Sequence, residues 1–126
     1  MKSILIIDDD ITIRLAFKKL LKNDNYIIQQ AKDVNEALSY LKNNFYNLVL
    51  LDLRLPPKGA EAGFRILAKK RKLPLNADTP VLIISGQATD REDINKRVTL
   101  EDNVADILIK PVENETLLKA VNTCLA

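Results

Sequence analysis

Four apolar runs in this chain each end in a polar residue: ILII before Asp8 and Asp9, LVLL before Asp52, VLII before Ser85, and ILI before Lys110. If the runs are parallel strands, their carboxyl ends share one edge of a sheet. Three carboxylates, a hydroxyl and an ammonium then converge on one pocket. Such a group can hold a divalent cation and accept a phosphoryl group on an aspartate. Hard oxygen donors without His or Cys favour Mg²⁺ or Mn²⁺. Two carboxylates about 5 Å apart repel by roughly 3 kcal/mol at an effective dielectric of about 20, so a cation or a proton is needed to offset the cluster.

Each residue alone has a plainer reading. Asp52 and Lys110 could be solvated strand ends, Asp8–Asp10 could be acids favoured at a helix N-terminus, and Ser85-Gly86 could be a turn. Their joint placement after four separate apolar runs is what points to a site. The sequence contains no histidine, which removes His-based zinc sites, Ser-His-Asp triads and phosphohistidine. No glycine-rich phosphate loop is present either.

The elements that must position these residues alternate along the chain. Ile4–Ile7 reads as a buried strand. A helix follows from about Thr12 to Asn23, with Ile13, Ala16, Phe17, Leu20 and Leu21 on one face, and Asn25 can take a left-handed cap. Tyr26–Ala31 is a second strand. Asp33, with Glu36 three residues on, starts a helix through Asn44. Leu48–Leu51 is the third strand, closed by Pro56-Pro57-Lys58-Gly59. A helix from about Gly63 to Lys72, a strand Val81–Ile84, an irregular helical stretch over about Asp90–Asp102, a strand Ile107–Ile109 and a helix Glu113–Leu125 complete it. Strands rich in Ile, Leu and Val alternating with helices predict an α/β fold, a doubly wound five-stranded parallel sheet. Such sheets bind ligands at the carboxyl ends of their strands, beside the switch in strand order. An order of 2-1-3-4-5 would set the four strands with polar ends side by side.

A chain of 126 residues is expected to be one domain over 1–126, with a core of its own. Its 47% hydrophobic and 29% charged residues are ordinary for a globular protein. The net charge of +2 gives no reason to expect nucleic-acid or membrane binding. The one dense basic run, Lys69-Lys70-Arg71-Lys72, reads as a solvated helix C-terminus. A single cysteine, Cys124, cannot form an internal disulfide, so a reducing compartment, the cytoplasm, is expected. It reads as a packing residue. The apolar runs are far too short to span a bilayer.

On these residues the chain resembles the response-regulator receiver domains of two-component signalling, end to end. The resemblance implies the flavodoxin-like receiver fold with strand order 2-1-3-4-5. It implies that Asp52 is the phosphoacceptor and that Mg²⁺ is held by Asp9, Asp52 and the backbone carbonyl of Arg54, with Asp8 acting through water. Ser85 matches the switch hydroxyl, with Gly86 beside it leaving room, and Lys110, before a cis Pro111, the charge-neutralising lysine. Arg54 and Gln87 match positions that tune self-hydrolysis, with Arg54 expected to screen the phosphoryl group from water. The implied role is a phosphorylation-dependent switch fed by a sensor histidine kinase or phosphotransfer protein. It is not an enzyme with a separate substrate, and its transfer and dephosphorylation are self-catalysed. Two alternatives are a receiver-shaped binding scaffold that works without phosphate, and a small Mg²⁺-dependent phosphohydrolase. The latter usually has a second aspartate two residues after the nucleophile, where this chain has Arg54.

Three departures stand out. Ile107 occupies a position that is usually aromatic, so a readout by aromatic rotamer is not expected. Pro57–Ala62 reads as a loop insertion before Gly63. The span from Ser85 to Lys110 is about three residues longer than usual, with Asn103 replacing a glycine near its end. The output is an unidentified partner protein or an effector domain, for the chain is either a stand-alone receiver or the N-terminal part of a longer regulator.

Overall fold

The computed structural model describes residues 1–56 and 59–126. Five strands and five helices alternate: β1 (Ser3–Ile7), α1 (Ile11–Asn23), β2 (Ile27–Ala31), α2 (Val34–Asn43), β3 (Leu48–Asp52), α3 (Ala60–Lys70), β4 (Val81–Ser85), α4 (Asp90–Arg97), β5 (Val104–Ile109) and α5 (Asn114–Leu125). The strands form one parallel sheet in the order β2-β1-β3-β4-β5, as expected.

The continuous apolar runs follow from burial on both faces. Side chains alternate across a strand. Leu5, Ile7, Val49, Leu51, Val81 and Ile83 therefore pack toward Ala37 and Leu41 of α2, Ile66 and Leu67 of α3, and Ile94 of α4. Ile4, Ile6, Leu48, Leu50, Leu82 and Ile84 pack toward Phe17 and Leu21 of α1 and Leu117, Val121 and Leu125 of α5. Half-buried Cys124 belongs to the second layer, in keeping with a packing role.

Most boundaries fall within a residue or two of those expected, and Asn25 adopts the left-handed conformation at φ 66°. Three differences have local causes. α3 starts at Ala60 rather than Gly63, because Gly59, at φ 59°, turns the chain into the helix. Ala60–Ala62 are thus helical rather than inserted loop; Pro57 and Lys58 lie outside the described residues. Gly63 instead sits inside α3, where a Cβ would lie 2.5 Å from the Leu53 carbonyl oxygen. This close approach fixes α3 against the chain leaving β3. β5 starts at Val104, not Ile107, because Asn103 (φ 55°) brings Val104 into register with Val81. The long Ser85–Lys110 span resolves into the eight-residue α4 and a 3₁₀ turn, Leu100–Asp102, closed by Asn103.

The basic run is less solvated than expected. Lys70 is buried, its ammonium donates to the Ala77 carbonyl, and burial lowers its pKa to about 8. Arg71 forms an ion pair with buried Asp102 at 2.6 Å. Only Lys69 and Lys72 are exposed, because the end of α3 lies against the 3₁₀ turn.

Candidate functional site

The strand registers align the polar ends. Ile7 pairs with Leu51, Asp52 with Ile84, and Ser85 with Ile109. Asp8 therefore emerges beside Asp52, and Lys110 beside Ser85, whose carbonyl accepts the Lys110 N–H at 2.7 Å. The Lys110–Pro111 peptide is cis, as the resemblance implied.

One carboxylate oxygen each from Asp8, Asp9 and Asp52 lies within 4.8 Å of the others. Asp8 and Asp52 are buried, whereas Asp9 is exposed at the mouth. The Lys110 ammonium donates to Asp8 Oδ2 at 2.9 Å and lies 3.4 Å from Asp52 Oδ2. Backbone donors hold the other oxygens: Asp10 N–H to Asp8 Oδ1 at 2.9 Å and Arg54 N–H to Asp52 Oδ1 at 3.3 Å. Asp10 caps α1 by accepting from Thr12 N–H. Of the three neighbouring acids, one serves the helix and two face the pocket.

Burial, then the neighbouring Asp8, pushes the Asp52 carboxyl up to about 6, against the lowering effect of Lys110. Lys110 is itself buried enough to disfavour its charge. The hydrogen bond to Asp8 and the field of Asp52 outweigh that and raise its pKa. One cation facing three carboxylates leaves net negative charge in a pocket of oxygen donors. That donor set fits a hard divalent cation.

Ser85 stands at the pocket's edge, but its hydroxyl is engaged elsewhere. It donates to Asp90 Oδ2 at 2.6 Å and accepts from Gln87 N–H at 3.2 Å. The Arg54 guanidinium also reaches Asp90, through Nε at 2.9 Å and Nη2 at 2.5 Å. The Arg54 side chain, expected to screen a phosphoryl group on Asp52, is thus held by the buried Asp90 carboxylate. Gln87 is exposed and meets Ser85 through its backbone. Ile107 is half-buried against the core beneath α3 and α4. A Cβ on Gly86 would meet nothing within 4 Å, so the room expected of this glycine is not needed here.

Sequence reasoning missed two contributors. Arg14 donates to the Asp8 carbonyl at 2.7 Å and to Gln30 at 3.3 Å, steadying the turn that carries the acids. Asp90 stands at the start of α4, where acids are common for helix-dipole reasons alone. Nothing in the sequence marks it as the partner of Arg54 and Ser85.

A parallel sheet with this order and a carboxylate cluster at its switch point defines a narrow class of signalling domain. The sequence model of the response regulator receiver domain matches residues 4–122, and the chain belongs to that family. Among its relatives is the transcriptional regulatory protein DltR of Streptococcus agalactiae, 28% identical over 94% of this chain. The match covers 49% of DltR, so this chain spans about half that relative's length. Among solved structures, a CheY-like receiver domain protein from Methanospirillum hungatei superposes with a TM-score of 0.83 at 29% identity, covering 99% of this chain and 94% of that one. The response regulator TrrA of Thermotoga maritima, solved in complex with Mg²⁺-BeF, has a TM-score of 0.81 at 25% identity, covering 98% and 99%. No helix among the described residues is long and apolar enough to cross a membrane.

Proposed function

We propose that the chain accepts a phosphoryl group on Asp52 from a histidine kinase or phosphotransfer protein, with Mg²⁺, and that this switches a partner-binding surface. The observation that carries the reading is the buried Asp52 carboxylate beside Asp8, with the Lys110 ammonium reaching both. Asp8, Asp9, Asp52 and the Arg54 backbone carbonyl would hold the ion, Asp8 through water. When bound, Mg²⁺ neutralises charge on the cluster and on the transferring oxygens.

The chain's own residues do the rest. With its pKa at about 6, Asp52 is mostly ionised at neutral pH, and a carboxylate oxygen can form the new bond to phosphorus as the bond to the donor breaks. Lys110 stays protonated and offsets charge on the phosphoryl oxygens. The backbone donors on Asp8 and Asp52 keep both carboxylates oriented before the donor arrives. Ser85 is the nearest hydroxyl on the neighbouring strand and supplies a hydrogen bond to the acylated state. Dephosphorylation returns the group to water, so the protein is a self-catalysed phosphoacceptor, and we place it in the cytoplasm beside its donor. The output is a separate partner or an effector domain, as the transcriptional relatives suggest. The complete acidic cluster and Lys110 weigh against a phosphate-independent scaffold.

Incubation with acetyl phosphate and Mg²⁺, followed by intact mass measurement, tests the reading. A gain of one phosphoryl group is expected, absent in Asp52→Asn and in the presence of chelator. No gain in the folded wild type, or an equal gain in Asp52→Asn, would overturn it.

A further inference from the structure

Asp90 is 3% exposed and accepts three side-chain hydrogen bonds, two from Arg54 and one from Ser85. Ser85 Oγ lies 2.6 Å from Asp90 Oδ2 and 3.1 Å from the Gln87 carbonyl oxygen; an ionised carboxylate only accepts, so the shorter, charge-assisted contact takes the single Ser85 proton. The oxygens of a phosphoryl group on Asp52 would also only accept. Ser85 cannot donate to both. We infer that Asp90 is a positioning residue that withholds the Ser85 hydroxyl from the phosphoryl site, so that phosphorylation must draw Ser85 away from the start of α4. This inference rests on Asp52 being the phosphoacceptor.

The competition has a built-in readout. Ser85 and Asp90 bracket the exposed loop of residues 86–89. The Gln87 N–H donates to Ser85 Oγ, and the Asp90 N–H donates to the Gln87 carbonyl. A Ser85 hydroxyl turned toward Asp52 leaves Asp90 with Arg54 alone and removes the inner bracket of the loop. The state of Asp52 is thereby linked to the seating of α4, with no aromatic side chain needed at Ile107.

The test is a double-mutant cycle on the affinity for beryllium fluoride, a phosphoryl analogue, in saturating Mg²⁺, read by calorimetry. Asp90→Asn keeps the size but makes the competing acceptor neutral. Charge-assisted hydrogen bonds exceed neutral ones by about 1 kcal/mol, so the variant is expected to bind the analogue about fivefold more tightly. The gain should vanish in Asp90→Asn/Ser85→Ala relative to Ser85→Ala, whereas a merely structural effect of residue 90 would persist there. An unchanged or weaker affinity, or an equal gain in both backgrounds, would overturn the inference. Hydrogen exchange on the wild type supplies a second measurement that needs no variant. The Gln87 and Asp90 amides should exchange several-fold faster with the analogue bound, and unchanged or slower exchange would also overturn it. Wild type that fails to bind the analogue, or binds it equally as Asp52→Ala, would instead overturn the assignment of Asp52 itself.

Discussion

Replacing Asp52 by Asn should stabilise the metal-free protein. The ionised carboxylate is buried beside Asp8, and the folded state holds its carboxyl at about 6 rather than the ordinary 3.8. Moving a carboxyl that far corresponds to about 3 kcal/mol of disfavoured ionisation, reduced to about 1–2 kcal/mol by water at the cleft mouth. The sign follows from proton binding. Between about pH 4 and 6 the folded protein retains a proton on Asp52 that the unfolded chain has lost. Stability therefore falls as pH rises through that window, and the full penalty applies above it. For 126 residues the unfolding entropy is about 0.26 kcal/mol/K. Asp52→Asn should thus raise the melting temperature by about 4–8 °C at pH 7.5 in chelator, measured by scanning calorimetry. Lys110 keeps Asp8 as a partner at 2.9 Å in the variant, so no ammonium is stranded. At pH 4.5, where wild-type Asp52 is largely protonated, most of the gain should be gone. An unchanged or lower midpoint at pH 7.5, or a gain independent of pH, would refute the crowding of these carboxylates.

Other predictions rest on separate features. Mg²⁺ at ten times its dissociation constant should stabilise the wild type by about 1.4 kcal/mol, and a thermal shift should show most of this lost in Asp9→Asn. Gly63→Ala should cost about 2–3 kcal/mol in denaturant unfolding, despite alanine's better helix propensity, because its Cβ meets the Leu53 carbonyl. Asn76→Ala should cost about 3–5 kcal/mol by the same assay. The fully buried Asn76 amide donates to the Leu41 and Asn44 carbonyls and accepts from Tyr46 N–H, all of which lose a partner together.

What could be read in the sequence was what repeats or stands at an edge. Apolar runs buried on both faces look the same wherever they occur, and a polar residue closing each one marks the strand end without knowledge of the partner strand. Asp8, Asp52 and Lys110 were therefore legible, and Asp9 with them. Glycines gave an ambiguous signal: Gly63 looked like the start of a helix, but it is the close packing point of α3, and Gly59 makes the turn. Contacts between distant segments were not legible at all. Asp90 meets Arg54 only because β3 and β4 are neighbours, and its own position favours an acid for local reasons. Lys70 and Asn76 likewise resemble surface residues in sequence. Lys70 is buried where its ammonium meets the Ala77 carbonyl after α3, and Asn76 is buried against the turn from α2 to β3, at Leu41, Asn44 and Tyr46.

The central claim is that Asp52 carries the phosphoryl group. Borohydride reduction of the acetyl phosphate-treated protein converts an aspartyl phosphate to homoserine, and peptide mass sequencing then locates it. Homoserine at position 52, dependent on Mg²⁺ during labelling, is the predicted result. Homoserine at position 8 or 9, or a stable phosphate on Ser85 with residue 52 unmodified, would contradict the account.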